Sequence, residues 1–474
     1  MTLPAKFVER VLRDLGGTEG AALCAALDAE PPVSVRLNPA KTGAGTLPAG
    51  PDAGLPVPEA AGLPALAIAG RVPWSRDGRY LAVRPSFTLD PDFHAGAYYV
   101  QEASSQFVGH LLAAVRTEGA RILDLCAAPG GKTTLYASLA GPDGLVVANE
   151  IDRRRASVLA DNVRKWGTGN VAVTTCEPRA LGDFEAWFDV VAVDAPCSGE
   201  GMFRKDSDAR GEWSEGNVKQ CAARQDEILR EAWRALKPGG TLVYSTCTFN
   251  RDEDEGALER MAAWAGDEIA ESEETAVEDA WGIVCGRVGA FRTFRFYPHR
   301  TCGEGFFAAV ARKSFDAGGR VRAPKARRTV FAAVDRKTVG ELARWVRNPG
   351  GMRFAAVADT CYAWYAAQAD AVRTLSEALP VIYSGVALGQ VFKGVLKPDP
   401  ALAFFDGLNR GALPAAELDD EETLRFLRRQ DIAAGGLAEG MNLVCSRGRA
   451  LGFAKRIGAR VNNLYPNSLR IIKQ

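Results

Sequence analysis

At 474 residues the chain is too long for one ordinary hydrophobic core, so roughly two to four domains are expected. Lys+Arg and Asp+Glu are equal at 58 each, which excludes a global field of either sign and leaves local patches as the only electrostatic route to a nucleic acid. Ten cysteines without a CxxC pair, and three scattered histidines (His94, His110, His299), disfavour a disulfide framework and a metal centre and suit a reducing cytoplasm.

The opening residues hold no apolar export segment, and no stretch approaches ~20 uncharged apolar residues. A cytoplasmic protein that does not span a membrane is expected. Residues 1–95 read as a small α/β module. Its amphipathic helix (Phe7, Val8, Val11, Leu12, Leu15) stops at Gly16-Gly17, and an alternating strand follows at Val33–Leu37. A Gly/Pro/Ala-rich loop from Ala40 to Pro64 comes next, then strands near Val72–Trp74 and Tyr80–Val83 joined at Asp77-Gly78.

From residue 96 to 315 strands and helices alternate. After a helix through Leu111–Val115 come strands at Arg121–Cys126, Leu145–Asn149, Val171–Thr175 and Asp189–Asp194, with helices from Lys132 and from Arg153 to Trp166 between them. A helix from Asn217 to Leu236, a strand ending at Cys247, a helix from Asp254 to Ala265 and a strand at Gly305–Val310 complete the set. Repeated βα units predict a Rossmann-like, doubly wound parallel sheet covered on both faces. Residues 316–328 form a basic linker, 329–395 an accessory α/β region, and 396–474 a small module with a hairpin turning at Arg447-Gly448.

Chemistry-bearing residues gather where these strands end. Asp124-Leu-Cys126-Ala127-Ala128-Pro129-Gly130-Gly131-Lys132 follows a strand and opens a helix, so its glycines let backbone N–H groups approach a ligand. It has neither P-loop nor G-x-G-x-x-G spacing. The next strand ends on Glu150, placed for ribose hydroxyls, and ribose without a pyrophosphate signature points to S-adenosyl-L-methionine. Two further apolar strands end on thiols: Asp194-Ala-Pro-Cys197 and Ser245-Thr246-Cys247. Neighbouring strands would bring Asp194 and both thiols into one crevice, where a lowered pKa would make either cysteine a nucleophile. Cys24, Cys176, Cys221, Cys285, Cys302, Cys361 and Cys445 lack such context and are read as packing residues. His299 either faces the site or caps a loop.

The segments Leu123–Thr133, Asp194–Lys205 and Tyr244–Asn250, with Tyr99–Ser105 and Pro298-His299 in support, resemble the motifs of the Sun/Fmu/RsmF-type RNA cytosine-5-methyltransferases. Gly385–Gly389 and Leu451–Pro466 resemble the bacterial RsmF-like branch, which acts on small-subunit ribosomal RNA. The resemblance implies that Cys247 attacks carbon 6 of a cytosine, that Asp194 holds the base edge, that Cys197 assists product release and that Lys132 orients the base. It also implies S-adenosyl-L-methionine on Cys126 to Lys132, Glu150, Arg155, Glu177 and Asp194, with Glu177 standing where related sequences usually carry Asp. Further expectations are a PUA-like RNA-binding module at the C-terminus, an RNA partner (ribosomal RNA or an assembling small subunit), no metal, and a monomer. Basic residues at 320–328 and Arg447, Arg449, Lys455, Arg456 and Arg460 would hold phosphates. Methylation of transfer RNA and a non-catalytic ribosome-assembly role stay open as alternatives. A DNA cytosine methyltransferase, which would take its nucleophile from the Pro-Cys motif, is disfavoured by the separate Thr-Cys strand end.

Overall fold

Gly16, at φ +81, turns the chain without ending its helicity: helix Ala5–Leu15 is followed at once by helix Gly17–Ala26, which the Gly-Gly pair conceals in the sequence. The computed structural model describes residues 2–43 and 62–472. Strands β1 (Val33–Leu37), β2 (Ile68–Arg71), β3 (Gly78–Leu81) and β4 (Tyr98–Val100) form an antiparallel sheet in the order β2-β3-β1-β4. The strand expected at Val72–Trp74 lies upstream of that position. Pro73 has no N–H to donate to a ladder, and Trp74 instead turns inward, its indole donating to the Ala103 carbonyl at 2.7 Å. The Ala40–Pro64 stretch opens with a helical turn, Pro39–Thr42, and most of it lies outside the described residues. Tyr98–Val100, expected to lead into a helix, is β4; the helix runs from Phe107 to Ala113.

The large sheet is built on five parallel strands: β5 (Arg121–Asp124), β6 (Leu145–Asn149), β7 (Val171–Thr174), β8 (Phe188–Asp194) and β9 (Leu236–Thr246). Every residue of β6 and β7 is buried, as a parallel sheet covered on both faces requires. Phe107, Ile122, Val146 and Val190 pack on one face, and Leu123, Val147, Val191 and Leu229 on the other. Strands β10 (Ile269–Ala270), β11 (Val284–Val288), β12 (Phe291–Phe296) and β13 (Phe306–Lys313) follow. The accessory region adds β14 (Met352–Val357), β15 (Thr360–Tyr365), β16 (Val381–Ser384), β17 (Val386–Phe392) and β18 (Val395–Pro398), and because β18 pairs with β17 the region runs past the boundary expected at 395.

The sheet order is β11-β12-β13-β9-β8-β5-β6-β7-β16. The expected parallel sheet is therefore extended into a mixed one, since β13 runs antiparallel to β9 and β16 antiparallel to β7. The chain winds outward from β5 to β7, returns to β8, and winds outward again. The β5/β8 border is thus the topological switch point, where carboxyl-end loops diverge and leave a crevice.

At the C-terminus, β19 (Ala415–Glu417), β20 (Gly440–Ser446), β21 (Arg449–Ile457) and β22 (Arg460–Asn463) form a fourth sheet. Arg447 and Gly448 make the two-residue hairpin turn at φ +50 and +73, the left-handed pair that matches strand twist. A single core crosses from the accessory region into this module, with Leu342, Trp345 and Leu396 packed with Leu443 and Phe453. Arg447 and Arg449 do not reach outward for phosphate. They are engaged with Asp90 and Asp92 of the N-terminal module, and Arg456 donates to the carbonyls of Leu437 and Ala434.

Candidate active site

Parallel pairing of β8 with β9 sets Asp194 opposite Ser245, so the loops that follow leave the sheet side by side. This places Cys197 Sγ 3.3 Å from Cys247 Sγ, both thiols free and half-buried. The loops are sewn together from below. Gly201 N–H donates to the Cys247 carbonyl at 2.8 Å, and a Cβ at Gly201 would lie 2.6 Å from the Gly305 carbonyl oxygen, so only glycine permits this approach. Asn250 Nδ2 donates to Glu253 Oε1 at 2.7 Å and to Thr248 Oγ1 at 2.8 Å. Glu253 accepts from the Ser198 N–H at 3.0 Å and from Gln225 at 2.9 Å, while Glu200 accepts from Thr248, Phe249 N–H and Trp213. All of these carboxylate and amide groups but the Gln225 oxygen are paired, which fixes both thiols on rigid supports. Sequence reading missed Glu200, Glu253 and Gln225 in this role.

Charge is distributed unevenly around the thiols. Lys132, at the start of helix Gly131–Ala140, holds Asp194 Oδ2 at 2.8 Å, and Ser245 donates to Asp194 Oδ1 at 2.8 Å. Burial pulls the Lys132 pKa down, but Asp194, Asp124 and Cys247 outweigh it and keep the ammonium charged. The Cys197 thiol is pushed well up by its hydrogen bond to Cys247, by burial, and by Glu253. Lys132 thus presents positive charge on the Cys247 side of the pair, and Glu253 negative charge on the Cys197 side.

Beside this pair lies a cleft of about 170 Å³, lined by Cys126, Ala127, Ala128, Pro129, Gly131, Lys132, Asp124 and Asp194. The rest of its lining comes from β4 and the residues after it, with Tyr99, Gln101, Glu102 and Ser105, whose part in the site is visible in the sequence only as a supporting motif. A Cβ at Gly131 would meet Tyr99 at 3.3 Å, so the missing side chain keeps the cleft open. Arg36 clamps the turn from behind, donating to the Gly131 carbonyl at 3.0 Å and Thr134 Oγ1 at 2.6 Å. Buried Asp124 accepts from Thr133 through Oδ2 at 2.6 Å, while its Oδ1 has no hydrogen-bond partner among the described residues. Burial raises the Asp124 pKa to about 7.

Glu150 is buried at the end of β6, 3.3 Å from Arg155, which also donates to the Ala128 carbonyl at 3.0 Å. Gly130, Glu150 and Arg155 therefore support the turn without lining this cleft. Glu177 is exposed at the start of helix Pro178–Gly182 and does not line it either.

His299 contacts Glu19 at 2.8 Å through Nε2, tying the sheet to the N-terminal helices. His94 is buried against Tyr465 and the Thr88 carbonyl, and His110 contacts the Ala276 carbonyl. Among the described residues no three His, Cys, Asp or Glu side chains form a metal-binding group. Cys285 and Cys302 are exposed, which corrects their reading as packing residues, whereas Cys361 and Cys445 are buried. Among the same residues no helix is long and apolar enough to cross a membrane.

The cleft fits S-adenosyl-L-methionine. Its unpaired carboxylate oxygen and acidic lining suit a ligand with ammonium and sulfonium charges, and the helix start at Gly131 offers N–H groups to a carboxylate. A mixed sheet with this switch point and this cleft defines an S-adenosylmethionine-dependent methyltransferase. Residues 111–312 match the family model described as 16S rRNA methyltransferase RsmB/F, residues 3–103 that of the RsmF N-terminal domain, and 414–471 that of the RsmF PUA domain. The protein named ribosomal RNA small subunit methyltransferase F from Shewanella loihica is 32% identical over 418 residues, covering 84% of this chain and 83% of its own. Its namesake from Klebsiella pneumoniae is 32% identical over 424 residues, covering 84% of each chain. The chain belongs to the RsmB/F family and is an RNA methyltransferase. Among solved structures, a methyltransferase homologue from Pyrococcus horikoshii is 27% identical with a TM-score of 0.51, over 65% of this chain and 94% of that one. The NSun6 structure from the same organism shares the fold at 20% identity and a TM-score of 0.53, over 65% of this chain and 98% of that one.

Proposed function

We propose that the protein methylates carbon 5 of a cytosine in small-subunit ribosomal RNA, in the cytoplasm, through a covalent bond between Cys247 and carbon 6. The observation that carries this reading is the thiol pair, 3.3 Å apart at two neighbouring strand ends, with Lys132 on the Cys247 side and Glu253 acting on Cys197. Carbon 5 of cytosine is a poor nucleophile until a thiolate adds to carbon 6. Bound S-adenosyl-L-methionine supplies an electrophilic methyl group; the rest falls to the chain.

The Cys247 thiolate forms the bond to carbon 6. Asp194, held by Lys132 and Ser245, accepts a hydrogen bond from the amino group of the base, and the Lys132 ammonium beside it offsets the negative charge that builds on the ring as the thiolate adds. Once carbon 5 carries its methyl group, a base takes the carbon 5 proton and the carbon 6–sulfur bond breaks. Its electrons return to Cys247 as a thiolate, and the Cys197 S–H lies within hydrogen-bond reach to stabilise that leaving group. The reaction requires the nucleotide to be swung out of any stack. The 126–132 turn, Glu150 with Arg155, and further out Glu177 would hold the cofactor.

The names of the relatives support a ribosomal target. Bisulfite sequencing of ribosomal and transfer RNA from cells with and without the gene tests the reading. A single protected cytosine in small-subunit RNA, lost with the gene, is expected. Protection confined to transfer RNA, or none, would overturn it.

A further inference from the structure

A second concavity, about 340 Å³, opens on the other side of Tyr99 from the cofactor cleft, with Tyr99 and Val100 common to both. Two half-buried rings, Phe87 and Phe93, form its wall with centroids 6.5 Å apart. A cation stands over each: Arg84 lies 5.4 Å from the Phe87 centroid, and Lys165 Nζ 4.6 Å from that of Phe93. Neither has a carboxylate within salt-bridge distance among the described residues, whereas Lys132, Arg155, Arg204, Arg295 and Arg447 all do. Burial lowers the Lys165 pKa to about 8, against a weaker opposing pull from Asp161, so an ammonium there lacks the counter-charge it would favour.

The groove is joined to the cofactor turn. Asn162 Nδ2 donates to the Pro129 carbonyl at 2.9 Å and to Tyr99 OH at 3.3 Å, and Tyr99 OH donates to the same carbonyl at 3.2 Å. A strand whose target base enters beside Lys132 therefore has a surface of aromatic faces and unpaired cations within one residue's width of the cleft. Proteins that follow single-stranded RNA combine these two elements, rings for bases and cations for phosphates.

We propose that this groove seats a nucleotide of the single-stranded RNA flanking the target, its base against Phe87 and Phe93 and its phosphate between Arg84 and Lys165. The inference rests on the RNA-methylating activity and adds to it a site outside the catalytic cleft.

The test uses the full chain with a small-subunit ribosomal RNA fragment, comparing wild type with Arg84→Ala/Lys165→Ala, Phe87→Ala and Lys165→Arg. The double variant and Phe87→Ala should each raise the RNA KM roughly tenfold, the scale of losing one stacked base or its phosphate contacts. Turnover at saturating RNA should change little, and Lys165→Arg, which keeps the charge, should leave the RNA KM near the wild-type value. Calorimetric binding of S-adenosyl-L-methionine at the wild-type value establishes that each variant is folded. Should the half-buried Lys165 variants fail to fold, Arg84→Ala, at an exposed side chain, and Phe87→Ala decide alone. An RNA KM unchanged in folded variants overturns the groove while leaving the activity standing. A wild-type protein that methylates no RNA overturns both.

Discussion

Asp92 and Arg447 join the two ends of the fold across 355 residues of sequence, with Arg447 Nη1 3.0 Å from Asp92 Oδ2. Asp92 is only 1% exposed and receives Arg449 on its other oxygen at 2.8 Å, while the second Arg447 nitrogen reaches Asp420 at 2.9 Å. His94, on the same short helix as Asp92, packs against Tyr465. The N-terminal and PUA modules thus meet through a partly buried ion cluster. Replacing both arginines by alanine would leave Asp90 and Asp92 buried without a cation and should cost at least about 3 kcal/mol. A lowered thermal midpoint and early proteolytic release of the C-terminal module are expected. Arg447→Ala alone should leave the salt dependence of RNA binding unchanged, whereas a lost phosphate contact would reduce the slope by about one. A melting curve identical to wild type for the double variant would refute the latch.

This latch also marks where sequence reading stops. Apolar runs such as Val190–Val193 announce buried parallel strands by themselves, because both faces of that sheet are covered. Those runs in turn place Asp194, Cys197 and Cys247 at one edge. Strand β11 is exposed along most of its length and carries no apolar alternation, so neither it nor the hairpin it forms with β12 was legible. The sign of Arg447 was plain in the sequence, but its partner was not. A surface phosphate and an aspartate hundreds of residues away make the same demand on an arginine. The Glu200, Asn250 and Glu253 network was hidden for the same reason, as most of its bonds bridge two loops whose partners are 48 to 55 residues apart.

Glu150 offers the most direct test of the cofactor assignment. It is buried, its Oε1 accepts the Asp152 N–H at 3.1 Å, and Arg155 steadies its other oxygen. We propose that this carboxylate, at the end of β6 and just outside the cleft lining, accepts from the ribose hydroxyls. Glu150→Ala should weaken S-adenosyl-L-methionine roughly tenfold by calorimetry, the scale of a hydrogen bond to a charged group. Equal affinities would move the ribose elsewhere.

Asp124 gives the cleft a pH dependence of predictable sign. Burial raises its pKa to about 7, so it is neutral in mildly acidic solution and anionic above neutrality. A cationic ligand prefers the anion, so affinity for S-adenosyl-L-methionine should rise as pH passes from 6 to 8 (roughly one unit either side of that pKa). The stability consequence is opposite. A carboxyl whose folded-state pKa is raised contributes stability that is fully present below the ordinary carboxylate range and lost as pH rises through about 7. Asp124→Asn should flatten both profiles. Titration calorimetry across this range settles the first, and a variant that keeps the wild-type slope assigns it to another group.

The two thiols make the last and most discriminating pair of variants. Proximity alone does not tell nucleophile from assistant, because at 3.3 Å either sulfur reaches the same base. The surrounding charge gives the pair a polarity: the Cys197 thiol is pushed up by its hydrogen bond to Cys247, by burial and by Glu253, while the Lys132 ammonium acts on the Cys247 side. Cys247→Ala should therefore abolish methylation and form no covalent complex with RNA. Cys197→Ala should leave the attack intact but remove the S–H that stabilises the departing sulfur. Protein and RNA should then accumulate as a conjugate that survives denaturation and runs as a shifted gel band. Glu253→Gln, which keeps the shape of the supporting network but removes its negative charge, should give a milder form of the same trapping. The reverse pattern, a band trapped by Cys247→Ala and missing in Cys197→Ala, would make Cys197 the nucleophile and require the polarity of the pair to be inverted when RNA binds.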